Sequence, residues 1–94
     1  KTLQETTKGA AEVPLQVADR AVALLERLRQ LETIAAASMK SDLKVARLVA
    51  EAGARGAIAN VEINLDGIKD QAYLAAKRQA IAVLTDKLNA APAP

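Results

Sequence analysis

Apolar side chains recur along most of the chain at the three- and four-residue spacing of an α-helix, and no stretch sustains the alternation of a β-strand. One apolar stripe consists of Val17, Ala21, Leu24, Leu28 and Leu31, and a later one consists of Leu74, Ile81, Leu84 and Leu88. Polar side chains fill the opposite sides, which is typical of amphipathic helices. The pattern predicts an all-α fold, with helices near 14–32, 42–64 and 70–88 and a shorter helical piece before Pro14.

A few residues mark where these helices should begin and end. Pro14 suits a first helical turn or a kink. Ser41 followed by Asp42 is typical of a helix start, because the hydroxyl can cap free N–H groups and the acid sits in the positive first turn. Gly67 predicts a turn over residues 65–69, and Asp70 is expected to cap the last helix.

The helix predicted over 42–64 carries a stripe of small residues: Ala46, Ala50, Gly53, Ala57 and Asn60. Gly53 and Gly56 each cost about 1 kcal/mol relative to Ala in a helix interior. We therefore expect a neighbouring backbone to approach closely there. This predicts an antiparallel helical bundle with one long central helix, part of a larger oligomeric helical domain.

Composition limits both the core and the chemistry. Of 94 residues 22 are Ala, and there is no Cys, His, Phe or Trp. Thiol nucleophiles, disulfides, Cys/His zinc sites and His acid–base catalysis are therefore excluded. Ala buries little area, so the chain is predicted to form one thin domain over 1–88, with a frayed Ala/Pro tail over 89–94, and not to be stable as a lone monomer.

Charge and hydropathy exclude two classes of partner. The net charge is only +2 and there is a single aromatic residue, so neither a basic surface nor a stacking platform for nucleic acid is present. The longest uncharged stretches have seven residues, such as Thr33–Met39, which is too short to span a membrane. Lys1 opens no apolar signal segment, so a cytoplasmic location is expected.

Several short runs occur in an order and spacing that resemble one known family. They are Val13-Pro14-Leu15, Lys-Ser-Asp-Leu-Lys-Val-Ala over 40–46, Gly56-Ala57, Asn60-Val61, Ile63-Asn64-Leu65 and Ile68-Lys69-Asp70. Together they resemble the cyclodeaminase domain of formiminotransferase-cyclodeaminase, and they are also similar to bacterial methenyltetrahydrofolate cyclohydrolases. The resemblance covers about residues 1–88 and corresponds to the C-terminal half of that domain, because its Gly-rich first half has no counterpart here.

This resemblance implies a folate one-carbon enzyme. The implied reaction is cyclisation of 5-formiminotetrahydrofolate with release of ammonia, or interconversion of the methenyl and 10-formyl forms. It further implies a tetrahydrofolate derivative as substrate, and a homo-oligomer or the missing N-terminal half as partner. No metal is expected, because the chain has no His or Cys and its carboxylates are scattered. A non-catalytic helical assembly module is the alternative, since Ala35 and Ala36 stand where family members have Gly-Asn, and Met39 stands at a Cys of the cyclodeaminase branch.

The candidate site residues follow from the same resemblance. Asp42 is the acid beside the family run, and it could stabilise a cationic folate or simply cap the helix. Ser41 could contact substrate or act as the cap. Asn60 and Asn64 lie one turn apart, and their amides could pair with a pterin edge or satisfy a neighbouring helix end. Lys40 could attract the anionic glutamyl tail of folate or be solvated; Lys44 and Arg47 follow the same helix edge.

Overall fold

The structure is a computed structural model that describes residues 2–90, and these residues form three helices. Helix α1 spans Leu3–Ile34, α2 spans Ala37–Leu65 and α3 spans Gln71–Asn89. The all-α prediction is confirmed, and residues 2–90 contain no strand. Residues 91–94 of the predicted tail lie outside the described residues. No helix in the described part of the chain combines the length and the apolar character needed to cross a membrane.

Helix α1 begins with a reciprocal pair of capping hydrogen bonds. The hydroxyl of Thr2 accepts from the Glu5 N–H at 3.1 Å, and the Glu5 carboxylate accepts from the Thr2 N–H at 3.3 Å. The helix then runs without interruption through Pro14, so the prediction of a separate helical piece before Pro14 is wrong. Pro14 has no N–H to donate to the carbonyl oxygen of Ala10, and packing along the rest of α1 compensates for this loss.

Helix α2 begins earlier than the sequence pattern predicted. Its N-cap is Ala36, which offers no side-chain hydrogen bond, and its first turn contains no acid. Ser41 and Asp42 therefore lie inside the helix, and the predicted start at this pair is wrong. Ala, Met and Lys have high helix propensity, so the segment before Ser41 extends the helix toward α1.

Helix α3 begins where predicted. Asp70 is the N-cap, and its carboxylate accepts from the Tyr73 N–H at 3.1 Å. The preceding turn is fastened to α1 by Gln4, which donates to the Gly67 carbonyl oxygen and accepts from the Lys69 N–H, both at 2.9 Å. This double contact places the N-terminus of α3 against the N-terminus of α1.

The helices pack as an antiparallel hairpin of α1 and α2, with α3 laid along one side of it and parallel to α1. Arg29, near the C-terminal end of α1, donates to the carbonyl oxygens of Lys87 and Leu88 at the end of α3, both at 2.9 Å. The core is formed by residues from all three helices and from the turn before α3: Ala11, Ala18, Val22, Leu25, Leu28, Ala50, Ala54, Ala57, Ile58, Val61, Leu65, Ile68, Leu74, Ile81, Leu84 and Leu88. The structure has two long helices instead of one, because α1 continues through Pro14.

The two glycines of α2 have no close neighbour from another helix within the described residues. A Cβ atom on Gly53 or Gly56 would have no atom of another helix within 4 Å. The expected close approach at these glycines is therefore absent from the fold of residues 2–90. Within the small-residue stripe, Ala50 and Ala57 are buried in the core, whereas Gly53 and Asn60 face an open surface.

Candidate functional site

A groove of about 620 Å³ runs between α1 and α2 on the side of the hairpin that α3 does not cover. Four residues of α1 and five of α2 line it: Ala10, Val13, Pro14, Val17, Gly53, Gly56, Ala57, Asn60 and Asn64. Its walls are mostly apolar, and the two amides are its only polar side chains. A concave apolar surface with a few placed polar groups is the usual form of a small-molecule site.

The groove exists because side chains are missing where the two helices meet. Gly53 and Gly56 contribute no side chain, and no atom of another helix lies within 4 Å of the positions that their Cβ atoms would take. Ala10 and Ala57 add only methyl groups. The glycines therefore lower the stability of the helix and keep the groove open. The open groove accounts for their presence, whereas close packing of another helix within the described residues does not.

Asn60 and Asn64 lie together in this groove, as their one-turn spacing predicted. The Asn64 amide nitrogen donates to the backbone carbonyl oxygen of Asn60 at 2.8 Å, which orients the Asn64 side chain. Asn60 itself is exposed. Among the described residues the Asn60 side chain satisfies no neighbouring helix end, because it faces the open side of α2.

The residues around the Ser-Asp pair lie elsewhere. Lys40, Ser41 and Asp42 are all exposed near the start of α2. Asn60 follows Asp42 by 18 residues, which corresponds to about 27 Å along the helix axis at a rise of 1.5 Å per residue. The structure does not bring Lys40, Ser41 and Asp42 to the groove that holds Asn60 and Asn64.

Two arginines of α2 are engaged in ion pairs. Arg47 contacts the Glu32 carboxylate of α1 at 2.9 Å, with both side chains largely buried, so this arginine is neither solvated nor free to attract a glutamyl tail. Arg55 pairs with Glu51 one turn earlier at 3.1 Å, which is a structural contact within α2.

The walls of the groove are not predicted by the sequence patterns. Val13 and Pro14 carried part of the family resemblance, and Gly53 belonged to the small-residue stripe, yet neither pattern placed the two on facing helices. One sequence observation could have linked them: Val13, Pro14 and the residues around Gly56 all belong to the runs that resemble the same family. Helical periodicity predicts which residues share one face of a helix. It does not predict the register of α1 against α2, which decides which residues of the two helices lie opposite each other.

Among the described residues no three His, Cys, Asp or Glu side chains are grouped as a metal site would require. A second cavity of about 510 Å³ lies between α1 and α3. Its rim carries the charged residues Glu12, Asp19, Arg20 and Lys87, and none of the family runs except Leu15 contributes to it. The α1–α2 groove is therefore the better candidate for a ligand site.

A polar cluster holds α3 against α1. The Tyr73 hydroxyl donates to the Glu12 carboxylate at 2.7 Å, and Lys77 contacts the same oxygen at 2.9 Å. Lys8 pairs with Asp70 at 2.8 Å and lies 4.9 Å from the centre of the Tyr73 ring. Lys77, followed by Tyr73, lowers the pKa of Glu12, and Lys8, followed by the Tyr73 N–H, lowers the pKa of Asp70. Because both pKa values are lowered in the folded state, the two carboxylates stabilise the fold near neutral pH. This stabilisation is lost as pH falls below the ordinary pKa values of Glu and Asp and through the lowered ones.

The pKa of Tyr73 is expected to distinguish folded from unfolded chain. Partial burial, followed by the neighbouring Glu12 carboxylate, raises it from 10.0 to about 12. Between pH 10.0 and about 12 the Tyr73 hydroxyl keeps its proton in the native protein and loses it in the unfolded chain. The free energy of unfolding should therefore fall as pH rises through this window. Tyr73 is the only tyrosine, so ultraviolet absorbance of tyrosinate reports its titration alone. Glu12→Gln should lower the midpoint, and a midpoint near 10.0 in folded protein would contradict the described contacts.

Comparison of the sequence with known proteins identifies the family. The model of the formiminotransferase-cyclodeaminase family matches residues 1–83. The chain belongs to this family. It is 39% identical over 82 residues to the formimidoyltransferase-cyclodeaminase of Sus scrofa, and 37% identical over 82 residues to that of Rattus norvegicus. Each match covers 87% of this chain and 15% of the relative's length, so the chain spans a small part of these relatives. No solved structure matches the chain.

The formiminotransferase-cyclodeaminase match contains both walls of the groove. Residues 1–83 include Val13 and Pro14 of α1 as well as Asn60 and Asn64 of α2. These two pairs are separated by more than forty residues of sequence, and they meet only because the hairpin is antiparallel.

Proposed function

We propose that this chain forms part of a folate one-carbon enzyme of the cyclodeaminase or cyclohydrolase type, and that the α1–α2 groove binds the pterin portion of a tetrahydrofolate derivative. The observation that carries the proposal is the convergence of Val13, Pro14, Asn60 and Asn64 on one groove. All four belong to the runs on which the family resemblance rests. A groove built from these residues is therefore the natural place for the substrate of the family.

The chemistry of the groove fits a flat heterocycle with a polar edge. Val13 and Val17 provide apolar wall surface, and Gly53 and Gly56 let a planar ring approach the α2 backbone. The amides of Asn60 and Asn64 each offer donors and an acceptor. Pro14 leaves the exposed carbonyl oxygen of Ala10 without its usual helical donor, and this oxygen supplies a further acceptor beside the groove.

The proposed roles of Lys40, Ser41 and Asp42 require an additional element. About 27 Å of helix separates Asp42 from Asn60. Asp42 as the carboxylate that stabilises a cationic folate, and Lys40 and Ser41 as substrate contacts, would act on a ligand in the groove only if another segment or subunit brought equivalent groups close. We therefore assign pterin binding to Asn60 and Asn64 within this chain, and the reaction itself to the intact oligomeric protein.

The test is Asn60→Leu in the intact protein, assayed by calorimetric titration with a tetrahydrofolate derivative. Because Asn60 is exposed, the substitution should leave the melting temperature nearly unchanged. Loss of its pairing with the ligand should weaken affinity roughly 5- to 150-fold, equivalent to about 1–3 kcal/mol.

Gln79→Leu is the matched control, since it replaces an exposed amide of α3 outside the groove. It should change neither affinity nor melting temperature. Unchanged affinity in Asn60→Leu would remove Asn60 from the site and weaken the pterin proposal.

A non-catalytic assembly module is the second candidate function. The observation favouring it is the α1–α2 turn, where Ala35 and Ala36 offer no polar side chain at the positions of the family's Gly-Asn. Substrate turnover by the intact protein separates the two candidates, because a pure scaffold would bind partner chains and turn over no folate.

A further inference from the structure

The cavity between α1 and α3 is separate from the α1–α2 groove. Its volume of about 510 Å³ lies within the range of small-molecule sites. The α1 part of its lining extends from Glu12 to Arg20, which corresponds to about 12 Å along the helix axis. The cavity and the groove share no residue, because the cavity is lined by another side of α1 and by α3: Glu12, Leu15, Gln16, Asp19, Arg20, Ala80, Val83, Leu84 and Lys87.

Apolar side chains from both helices form one wall of this cavity. Leu15 of α1 is half-buried, and Leu84 of α3 is buried in the core. Ala80, one turn before Leu84, contributes only a methyl group, which leaves space between the helices. Val83 lines the same cavity and is 44% exposed. A ligand with an apolar chain would remove this apolar surface from water, which is favourable.

The charges at the rim of the cavity do not balance one another. Glu12 is already engaged in the polar cluster that holds α3 against α1. Within residues 2–90, Asp19, Arg20 and Lys87 make no ion pair. These three side chains are two cations and one carboxylate, so they leave an excess of one positive charge. A rim of this kind attracts an anion that carries a single negative charge.

We propose that the α1–α3 cavity binds a small amphipathic monoanion, namely a carboxylic acid with an unbranched apolar chain. The chain lies against Leu15, Val83 and Leu84, and the carboxylate lies between Arg20 and Lys87. An extended chain fits this cavity because the lining follows the helix axis. The bound anion connects α1 to α3, since Arg20 belongs to one helix and Lys87 to the other.

The proposed ligand class also excludes close chemical relatives. A dicarboxylate of the same length would place its second carboxylate on the apolar wall, toward the Glu12 carboxylate. An alkylammonium ion would meet the excess of positive charge at Arg20 and Lys87. An acid with a shorter chain would leave part of the apolar wall in water.

Calorimetric titration of the intact protein with octanoate tests these expectations. Octanoate should bind, and hexanoate should bind about tenfold more weakly because two fewer methylene groups leave water. Octanedioate and octylammonium should both bind more weakly than octanoate. Added salt should weaken the binding of octanoate and leave that of the uncharged octanol nearly unchanged, because only octanoate pairs with the exposed cations.

Two variants locate the ligand. Arg20→Gln and Lys87→Gln should each weaken octanoate about two- to fivefold, and the double variant about tenfold. Both side chains are exposed, so helical circular dichroism should not change. Arg78→Gln is the matched control, because Arg78 is an exposed arginine of α3 that lines a different cavity, between α2 and α3. It should leave the affinity for octanoate unchanged.

The proposal would be overturned if the intact protein did not bind octanoate, or if octylammonium bound as tightly. Unchanged affinity for octanoate in the double variant would also overturn it. Asn60→Leu distinguishes the cavity from the groove, because Asn60 lines only the groove. Octanoate affinity that is unchanged in Asn60→Leu supports the separate site. Affinity that falls in Asn60→Leu as far as in the double variant would place octanoate in the groove and contradict the proposal.

Discussion

Leu25→Ala is expected to lower the free energy of unfolding by about 2–5 kcal/mol, the usual range for a buried leucine. Leu25 is 0% exposed and is among the largest fully buried side chains, together with Leu88, Val22 and Val61. Five of the sixteen core residues are alanines, which have no side-chain freedom to close the cavity. The loss should therefore lie toward the upper part of that range.

Urea denaturation followed by circular dichroism measures this effect, with Leu48→Ala as the matched control. Leu48 is 48% exposed and outside the core, so its truncation should cost less than about 1 kcal/mol. Equal losses in the two variants would show that the core does not centre on Leu25.

Arg29→Met should release the C-terminal end of α3 and cost about 2 kcal/mol. The guanidinium donates to the carbonyl oxygens of Lys87 and Leu88, where within residues 2–90 the only other donor at this helix end is the Ala90 N–H, which reaches the Lys87 oxygen at 3.4 Å. Its positive charge also interacts favourably with the negative end of the helix dipole. Methionine retains the apolar stem of the side chain, so the variant tests the loss of the charged donors.

Hydrogen exchange provides the most specific measurement of this effect. Amides in the last turns of α3 should lose protection in Arg29→Met, while those in the α1–α2 hairpin change less. Arg55→Met is the control, because Arg55 contacts Asn89 of α3 at 2.8 Å from an exposed position. Its cost should be below about 1 kcal/mol. Equal loss of protection in both variants would contradict the assigned role of Arg29.

The sequence predicted the helices better than their boundaries. Periodicity established the fold class because helical stripes are a local property, and Asp70 capped α3 as expected because the turn at Asp66 and Gly67 ends α2 before it. At Ser41 the capping pattern competed with Ala36 and the helix-forming residues after it, and helix propensity prevailed. At Pro14 the loss of one hydrogen bond was outweighed by packing along α1, which local sequence does not reveal.

The candidate site was predicted only where it depends on one helix. Asn60 and Asn64 share a face because of their spacing, and the structure places both in one groove. Asp42 was grouped with them through the family resemblance, which carries no distance information. The contribution of Pro14 to the opposite wall depends on the register between α1 and α2. That register is set by contacts such as Arg47 with Glu32, between residues fifteen apart, and no periodic pattern encodes it.

Tyr73 gives this protein an unusually selective optical reporter. It is the only aromatic residue in the chain, and its hydroxyl and ring contact Glu12, Lys8 and Lys77 where α3 meets α1. Intrinsic fluorescence therefore monitors the docking of α3 alone, whereas far-ultraviolet dichroism monitors the backbone of all three helices. If the two signals change together on denaturation, the third helix and the hairpin form one cooperative unit. If fluorescence changes first, α3 detaches while the hairpin that carries the groove remains folded, and no label has to be introduced to see it.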